Sequence, residues 1–313
     1  MRRLTLDVDG PVNVADFGGS GPAMVLLHGL GGSHVNWIRI GPLLAERARV
    51  IAPDFPGFGY TPPAGRATTI EANAAWLDRF LDQVVGGPAI LVGNSMGGLI
   101  SLVAAARSDR NVAGLALISP ALPLAPREPR DMQVMVAFGA YFTPGLGELF
   151  VRRRARRLGP EGMVRETFRL CCVDPTRVPD EVIAAHVDVS RDRAGMSWAE
   201  PSVLRAARSL VRLVLRRPGF RAMLKRVHPP TLLLNGEGDR LVKVAAARLA
   251  HELRPDWTFL PIPDVGHVPQ LEAPERTADA IFDWLEGAGR PAWDAALTSP
   301  LAVDRAAPAA AEG

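Results

Sequence analysis

Gly93-Asn94-Ser95-Met96-Gly97-Gly98 follows the apolar run Ala89-Ile90-Leu91-Val92 and opens a helical pattern that continues to about Arg107. A strand that turns straight into a helix leaves little room at its corner, so the positions flanking the turn must lack side chains. Ser95, between Gly93 and Gly97, is thereby forced into a strained backbone conformation that lifts its Oγ above the sheet. The N-terminus of the following helix adds positive potential near that oxygen. A Gly-rich structural turn with an incidental serine is the plain alternative, and the strand-before, helix-after context argues against it.

The same rhythm runs outward in both directions. Residues 3–8 and 11–17 read as a strand pair turning at Asp9-Gly10. Strands at 23–27, 48–52, 89–92 and 112–119 alternate with helical patterns at about 35–46, 70–84 and 96–107. After a gap the rhythm resumes with strands at 231–235 and 257–262 and helices at about 243–252 and 274–286. Short continuous apolar strands separated by helices indicate an α/β chain with a mostly parallel central sheet and helices on both faces. Residues 122–228 contain no convincing strand; they are Arg-rich, helical in pattern and broken by prolines. The reading is a core of 1–121 and 229–313 with an inserted helical cap at 122–228. The Ala- and Pro-rich tail after Gly287 is expected to be mobile.

Bulk properties exclude several classes. The 313 residues are 48% apolar and 22% charged, with a formal charge of +3. An excess of three charges on a chain this long does not call for nucleic acid or an acidic partner. The one dense basic run, Arg152, Arg153, Arg154, Arg156 and Arg157, reads as the solvated face of a helix, since no aromatic or Gly-rich residues accompany it. Cys171 and Cys172 are adjacent, which suits neither a disulfide framework nor a metal site; they read as two small buried thiols. Asp7 and Asp9 interrupt any apolar run after Arg2-Arg3, so no signal peptide is expected. No stretch approaches the roughly 18 apolar residues of a membrane span. The expectation is a soluble, cytoplasmic protein.

In open parallel sheets, ligands bind at the carboxyl ends of strands. Several polar or glycine-rich turns fall there. A serine needs a general base; His267, in Asp264-Val265-Gly266-His267-Val268-Pro269, follows the strand 257–262. His34, His186, His228 and His251 read as ordinary surface or core residues, and His28 as shaping its own turn. The base needs an acid that holds its tautomer. Asp239 is favoured over Glu237, because it lies further out where the loop turns toward the next helix. Asp54 and Asp264 are decoys, with Asp54 pinning the loop Asp54-Phe55-Pro56-Gly57-Phe58-Gly59. An oxyanion hole requires backbone N–H groups, and His28-Gly29-Leu30-Gly31-Gly32 offers Leu30 as partner to Met96. The glycines do not form a dinucleotide or P-loop pattern.

With these residues in the order Ser95, Asp239, His267, and with His28-Gly29 and Asp54 to Gly59 upstream, the chain resembles the lid-bearing branch of the α/β-hydrolase superfamily over residues about 10–121 and 229–286. The resemblance implies the α/β-hydrolase fold, Ser95 as nucleophile, His267 as base, Asp239 as its acid, and Leu30 with Met96 as the oxyanion hole. It implies hydrolysis through an acyl-enzyme with no metal or organic cofactor, acting on a small-molecule hydrophobic ester. Ser95 argues against haloalkane dehalogenases and epoxide hydrolases, which carry aspartate there. The complete triad argues against cofactor-free dioxygenases. Leu30 makes the haloperoxidase-like perhydrolases, with an aromatic residue after His-Gly, less apt. Carbon–carbon bond hydrolases of ring-fission products usually carry Trp after the histidine, where Val268 stands. They would also need a cap cation such as Arg165, Arg177 or Arg191. A non-catalytic receptor on the same fold is the third reading.

Substrate choice falls to the cap. Met132, Met135, Phe138, Tyr141, Phe142 and Phe150 recur at loosely helical spacing, either as the packed underside of the cap or as an acyl pocket. Asn94, Met135, Phe138 and Phe142 are the candidate substrate contacts. An apolar pocket favours medium acyl chains over acetate.

Overall fold

The computed structural model describes residues 1–125, 131–132, 139, 145–299 and 301. The strands are β1 (Arg2–Asp7), β2 (Pro11–Gly18), β3 (Ala23–Leu27), β4 (Arg49–Pro53), β5 (Ala89–Asn94), β6 (Val112–Ile118), β7 (Thr231–Gly236) and β8 (Thr258–Ile262). They form an eight-stranded sheet in the order β1-β2-β4-β3-β5-β6-β7-β8. Only β2 runs against its neighbours, pairing antiparallel with β1 and β4; every other pairing is parallel.

Burial on both faces explains why these strands read as unbroken apolar runs. In β3, Ala23, Val25 and Leu27 pack into the core on one face, while Met24 and Leu26 pack into the core on the other. β5 divides the same way, with Ala89 and Leu91 against Ile90 and Val92. Alternate side chains of a strand point to opposite faces, so two buried faces demand an apolar residue at every position.

The helices are α1 (Ile40–Ala45), α2 (Ile70–Phe80), α3 (Met96–Arg107), α4 (Leu146–Cys171), α5 (Asp180–Ala194), α6 (Ala199–Leu215), α7 (Arg217–Leu224), α8 (Val244–Leu253), α9 (Pro269–Glu272), α10 (Pro274–Glu286) and α11 (Arg290–Ala296). Two helical expectations are corrected. The pattern at 35–46 is two pieces, a 3-10 turn at His34–Trp37 and α1, because Pro42 has no N–H to return to residue 38. The pattern at 70–84 ends as α-helix at Phe80 and continues as one wider turn to Val85, closed by Gly86 at φ 75°.

Among the described residues, the stretch 122–228 holds helices and no strand. Its prolines mark helix starts and bends. Pro179 precedes α5, Pro218 lies in the first turn of α7, and Gly159-Pro160 kinks α4. This stretch shares one apolar cluster with the loop after β8, in which Phe168, Cys171, Cys172, Val178, Val182, Ile183 and Val187 meet Val268 and Leu271.

The expectation of a mobile tail fails for its first part. Ala292 and Ala296 of α11 are fully buried against the sheet beside Trp284, and Leu301 donates its N–H to the Val85 carbonyl at 3.0 Å. Small side chains let this helix approach β6 closely, which composition alone had suggested was a sign of disorder. No described helix is long and apolar enough to cross a membrane.

Candidate functional site

Ser95 links β5 to α3 with φ 53° and ψ −112°, a region non-glycine residues rarely occupy. The corner is held from several sides. The Ser95 N–H donates to the Ile118 carbonyl at 3.1 Å, and the Ser95 carbonyl accepts from Leu99 and Ala121. The two flanking glycines are obligatory for space. A Cβ on Gly97 would lie 2.0 Å from the Leu27 carbonyl oxygen, and one on Gly93 would lie 2.7 Å from the Gly98 nitrogen. Ser95 itself is half-buried, and its Oγ makes no hydrogen bond among the described residues.

Asp239 and His267 come together as the strand-end positions suggested. Asp239 Oδ2 is 2.7 Å from His267 Nδ1, and its Oδ1 accepts the N–H groups of Leu241 and Val242 at 2.8 and 2.9 Å. A carboxylate offers only acceptors, so Nδ1 carries the hydrogen and Nε2 keeps its lone pair. Both side chains are buried, whereas the competitor Glu237 is exposed. The backbone of His267 is also tied down: its N–H donates to the Cys171 carbonyl at 2.5 Å, and its carbonyl accepts from Asn94 Nδ2 at 3.1 Å.

That last bond ties Asn94 to the histidine loop. Asn94 is 1% exposed, and its amide also donates to the Ile118 carbonyl. Both amide hydrogens are spent on backbone acceptors, so Asn94 braces the corner and the histidine loop. The other candidate substrate contacts, Met135, Phe138 and Phe142, lie outside the described residues, as does Tyr141. Met132 is 72% exposed.

The turn after β3 lies against the serine: a Cβ on Gly29 would be 3.4 Å from Ser95 Cβ. Leu30 and Met96 both have backbone N–H groups that no acceptor among the described residues takes. His28 shapes this turn. Its Nδ1 bonds the Gly29 carbonyl at 2.8 Å, and its Nε2 accepts from the Phe55 N–H at 3.1 Å. Burial drives the His28 pKa down to about 4, against a partly opposing pull from Asp54.

Asp54 pins its loop as expected. It accepts from the Asn13 amide, the Tyr60 N–H, and both the N–H and ring of His34. Burial raises its pKa, but the bond and charge of His34 outweigh that, and the net shift is downward. Cys171 and Cys172 are free and buried. Burial first, then the charges of Asp239 and Glu272, push the Cys171 thiol up to about 12, so it stays protonated and unreactive.

One feature escaped the sequence reading. Glu272 is 3% exposed and accepts the N–H of Gly266 at 2.7 Å and that of Asp174 at 2.8 Å. The only hint in sequence is an acidic residue closing the short, mostly apolar turn that follows His267.

Known proteins resemble this chain along most of its length. A family model for the alpha/beta hydrolase fold matches residues 22–274. A pimeloyl-(acyl-carrier protein) methyl ester esterase of Aromatoleum aromaticum is 31% identical over 266 residues, covering 85% of this chain and 99% of that protein. A 2-hydroxy-6-oxo-6-(2'-aminophenyl)hexa-2,4-dienoic acid hydrolase of Metapseudomonas resinovorans is 28% identical over 272 residues, 85% of each. Among solved structures, a thermophilic esterase from Thermogutta terrifontis superposes with a TM-score of 0.67 at 28% identity, covering 92% of this chain and all of that one. Together with the eight-stranded, mostly parallel sheet, these matches establish that the chain belongs to the α/β-hydrolase fold family.

Proposed function

We propose that this hydrolase cleaves carboxylic esters of small or medium hydrophobic acyl groups through an acyl-enzyme on Ser95. The observation that carries the reading is the 2.7 Å bond from His267 to Asp239, with the His267 backbone braced by the residue next to Ser95. Ser95 Oγ attacks the ester carbonyl while His267 Nε2 takes its proton. Asp239 holds the tautomer and stabilises the imidazolium. The oxyanion of the tetrahedral intermediate accepts from the Leu30 and Met96 N–H groups. The intermediate collapses, the leaving alkoxide takes the proton from His267, and the acyl group stays on Oγ. Water, deprotonated by the same nitrogen, then attacks the acyl-enzyme and releases the acid. The step requires neither metal nor organic cofactor.

Ser95 Oγ makes no direct bond to His267 in this state. Such contacts are often long without substrate and tighten in the complex.

Carbon–carbon cleavage of a ring-fission product is the second reading, and one relative is named for it. The cap cations it would need are engaged elsewhere. Arg177 is paired with Asp264, Arg165 with Glu161 and Arg191 with Asp188. That, with Val268 after the histidine, favours the ester. The test is a panel of p-nitrophenyl esters and a dienoate ring-fission product, run on the wild type beside Ser95→Ala. Ester turnover that disappears in Ser95→Ala supports the reading. Cleavage of the dienoate alone, or unchanged ester turnover in Ser95→Ala, overturns it.

A further inference from the structure

The end of the cap helix α4 does not merely cover the histidine loop; it is bonded to it. The Cys171 carbonyl takes the His267 N–H, and a Cβ on Gly266 would lie 2.1 Å from that same carbonyl oxygen. The chain leaving α4 and the chain carrying the base are therefore in backbone contact.

Glu272 spans this junction. Its Oε2 accepts from Gly266, immediately before the histidine, and its Oε1 accepts from Asp174, three residues beyond α4. The side chain is fully buried. The nearest cation is Arg177, with Nη1 at 3.9 Å from Oε1, and Arg177 is shared with Asp264 at 2.5 Å and Asp174 at 3.6 Å. Arg39 closes the outside by donating to the carbonyls of Arg177 and Leu271. Burying a carboxylate is costly unless it is paired and hydrogen-bonded. Here two charge-assisted N–H bonds and one loosely placed guanidinium satisfy it, and what those bonds fix is the path of the loop.

We propose that Glu272 is a positioning residue for the base: its carboxylate clamps the Gly266–His267 backbone to the foot of the cap and so sets where the imidazole lies. The inference rests on the proposed role of His267. Glutamine at 272 keeps the shape but can accept only one of the two N–H groups, because its NH₂ faces the other. The base is then held less firmly, and misplacement on the ångström scale costs rate rather than substrate affinity.

The experiment compares wild type, Ser95→Ala and Glu272→Gln on one p-nitrophenyl ester. Glu272→Gln is expected to lose on the order of 10- to 100-fold in kcat with KM within about twofold. A kcat within about twofold of wild type, or a loss that falls on KM instead of kcat, overturns the clamp. Hydrogen exchange on the wild type provides a second test that survives a variant that does not fold. The amides of Gly266 and His267 should exchange as slowly as those of β7, and rapid exchange there overturns the proposal. Failure of the functional reading is separate: it would appear as ester turnover surviving in Ser95→Ala.

Discussion

Asp239 and His267 share a 2.7 Å bond across 28 residues of sequence, and the other oxygen of Asp239 is fully used by two backbone N–H groups. The acid is therefore locked in one rotamer, and the imidazole in one tautomer. Asp239→Asn replaces an acceptor with a donor opposite Nδ1 and allows the wrong tautomer. The expected result is a fall in kcat of roughly 10⁴-fold with KM little changed, measured on a p-nitrophenyl ester. Glu237 is exposed and will not substitute.

Backbone strain at Ser95 gives a stability prediction. Ser95 holds φ 53°, a conformation costing about 1–3 kcal/mol for a residue with a Cβ. Ser95→Ala keeps that cost, whereas Ser95→Gly removes it and loses some chain entropy in exchange. Both variants should be inactive, and Ser95→Gly should melt above Ser95→Ala by calorimetry.

Stability should also fall in mild acid. Burial lowers the pKa of His28 and of His186 to about 4, from 6.5. Between those values the unfolded chain binds protons that the folded chain refuses, so stability drops as pH falls from about 6.5 toward 4. Each histidine contributes a slope of up to about 1.4 kcal/mol per pH unit in the middle of that window. Among the described residues, His186 Nε2 is buried without a partner, and its Nδ1 bonds the Val182 carbonyl one turn back. His186→Leu should therefore flatten the pH dependence of urea unfolding between pH 5 and 6.5 by about half.

On the proposed ester reading, an apolar acyl site sets the acyl-chain preference. Butyrate and hexanoate esters of p-nitrophenol should exceed the acetate in kcat/KM, by about 0.8 kcal/mol of binding for each buried CH₂, or roughly fourfold. A strict acetate preference in the same series would count against an apolar acyl site.

The strands, α3 and α10 were legible because each follows a local rule: double-sided burial demands continuous apolar runs, and 3.6-residue periodicity marks a packed helix. The pairing of Asp239 with His267 was legible because strand ends bring such residues to one edge. Asn94 and Glu272 were not. Their partners are far off in sequence: Asn94 reaches His267 across 173 residues, and Glu272 reaches Asp174 across 98. Both bonds also end on backbone atoms, and a backbone N–H or carbonyl leaves no mark in residue identity. Tail helix α11 was missed for a different reason. Alanine-rich composition looks the same whether the alanines are solvated or, as with Ala292 and Ala296, packed against a sheet.

The central claim is that Ser95 is the nucleophile. Its most direct measurement is intact-protein mass spectrometry with peptide mapping after reaction with a fluorophosphonate. The account predicts one adduct per chain, on Ser95, and none in Ser95→Ala. An adduct on another residue, or no adduct on an enzyme that turns over esters, would contradict it.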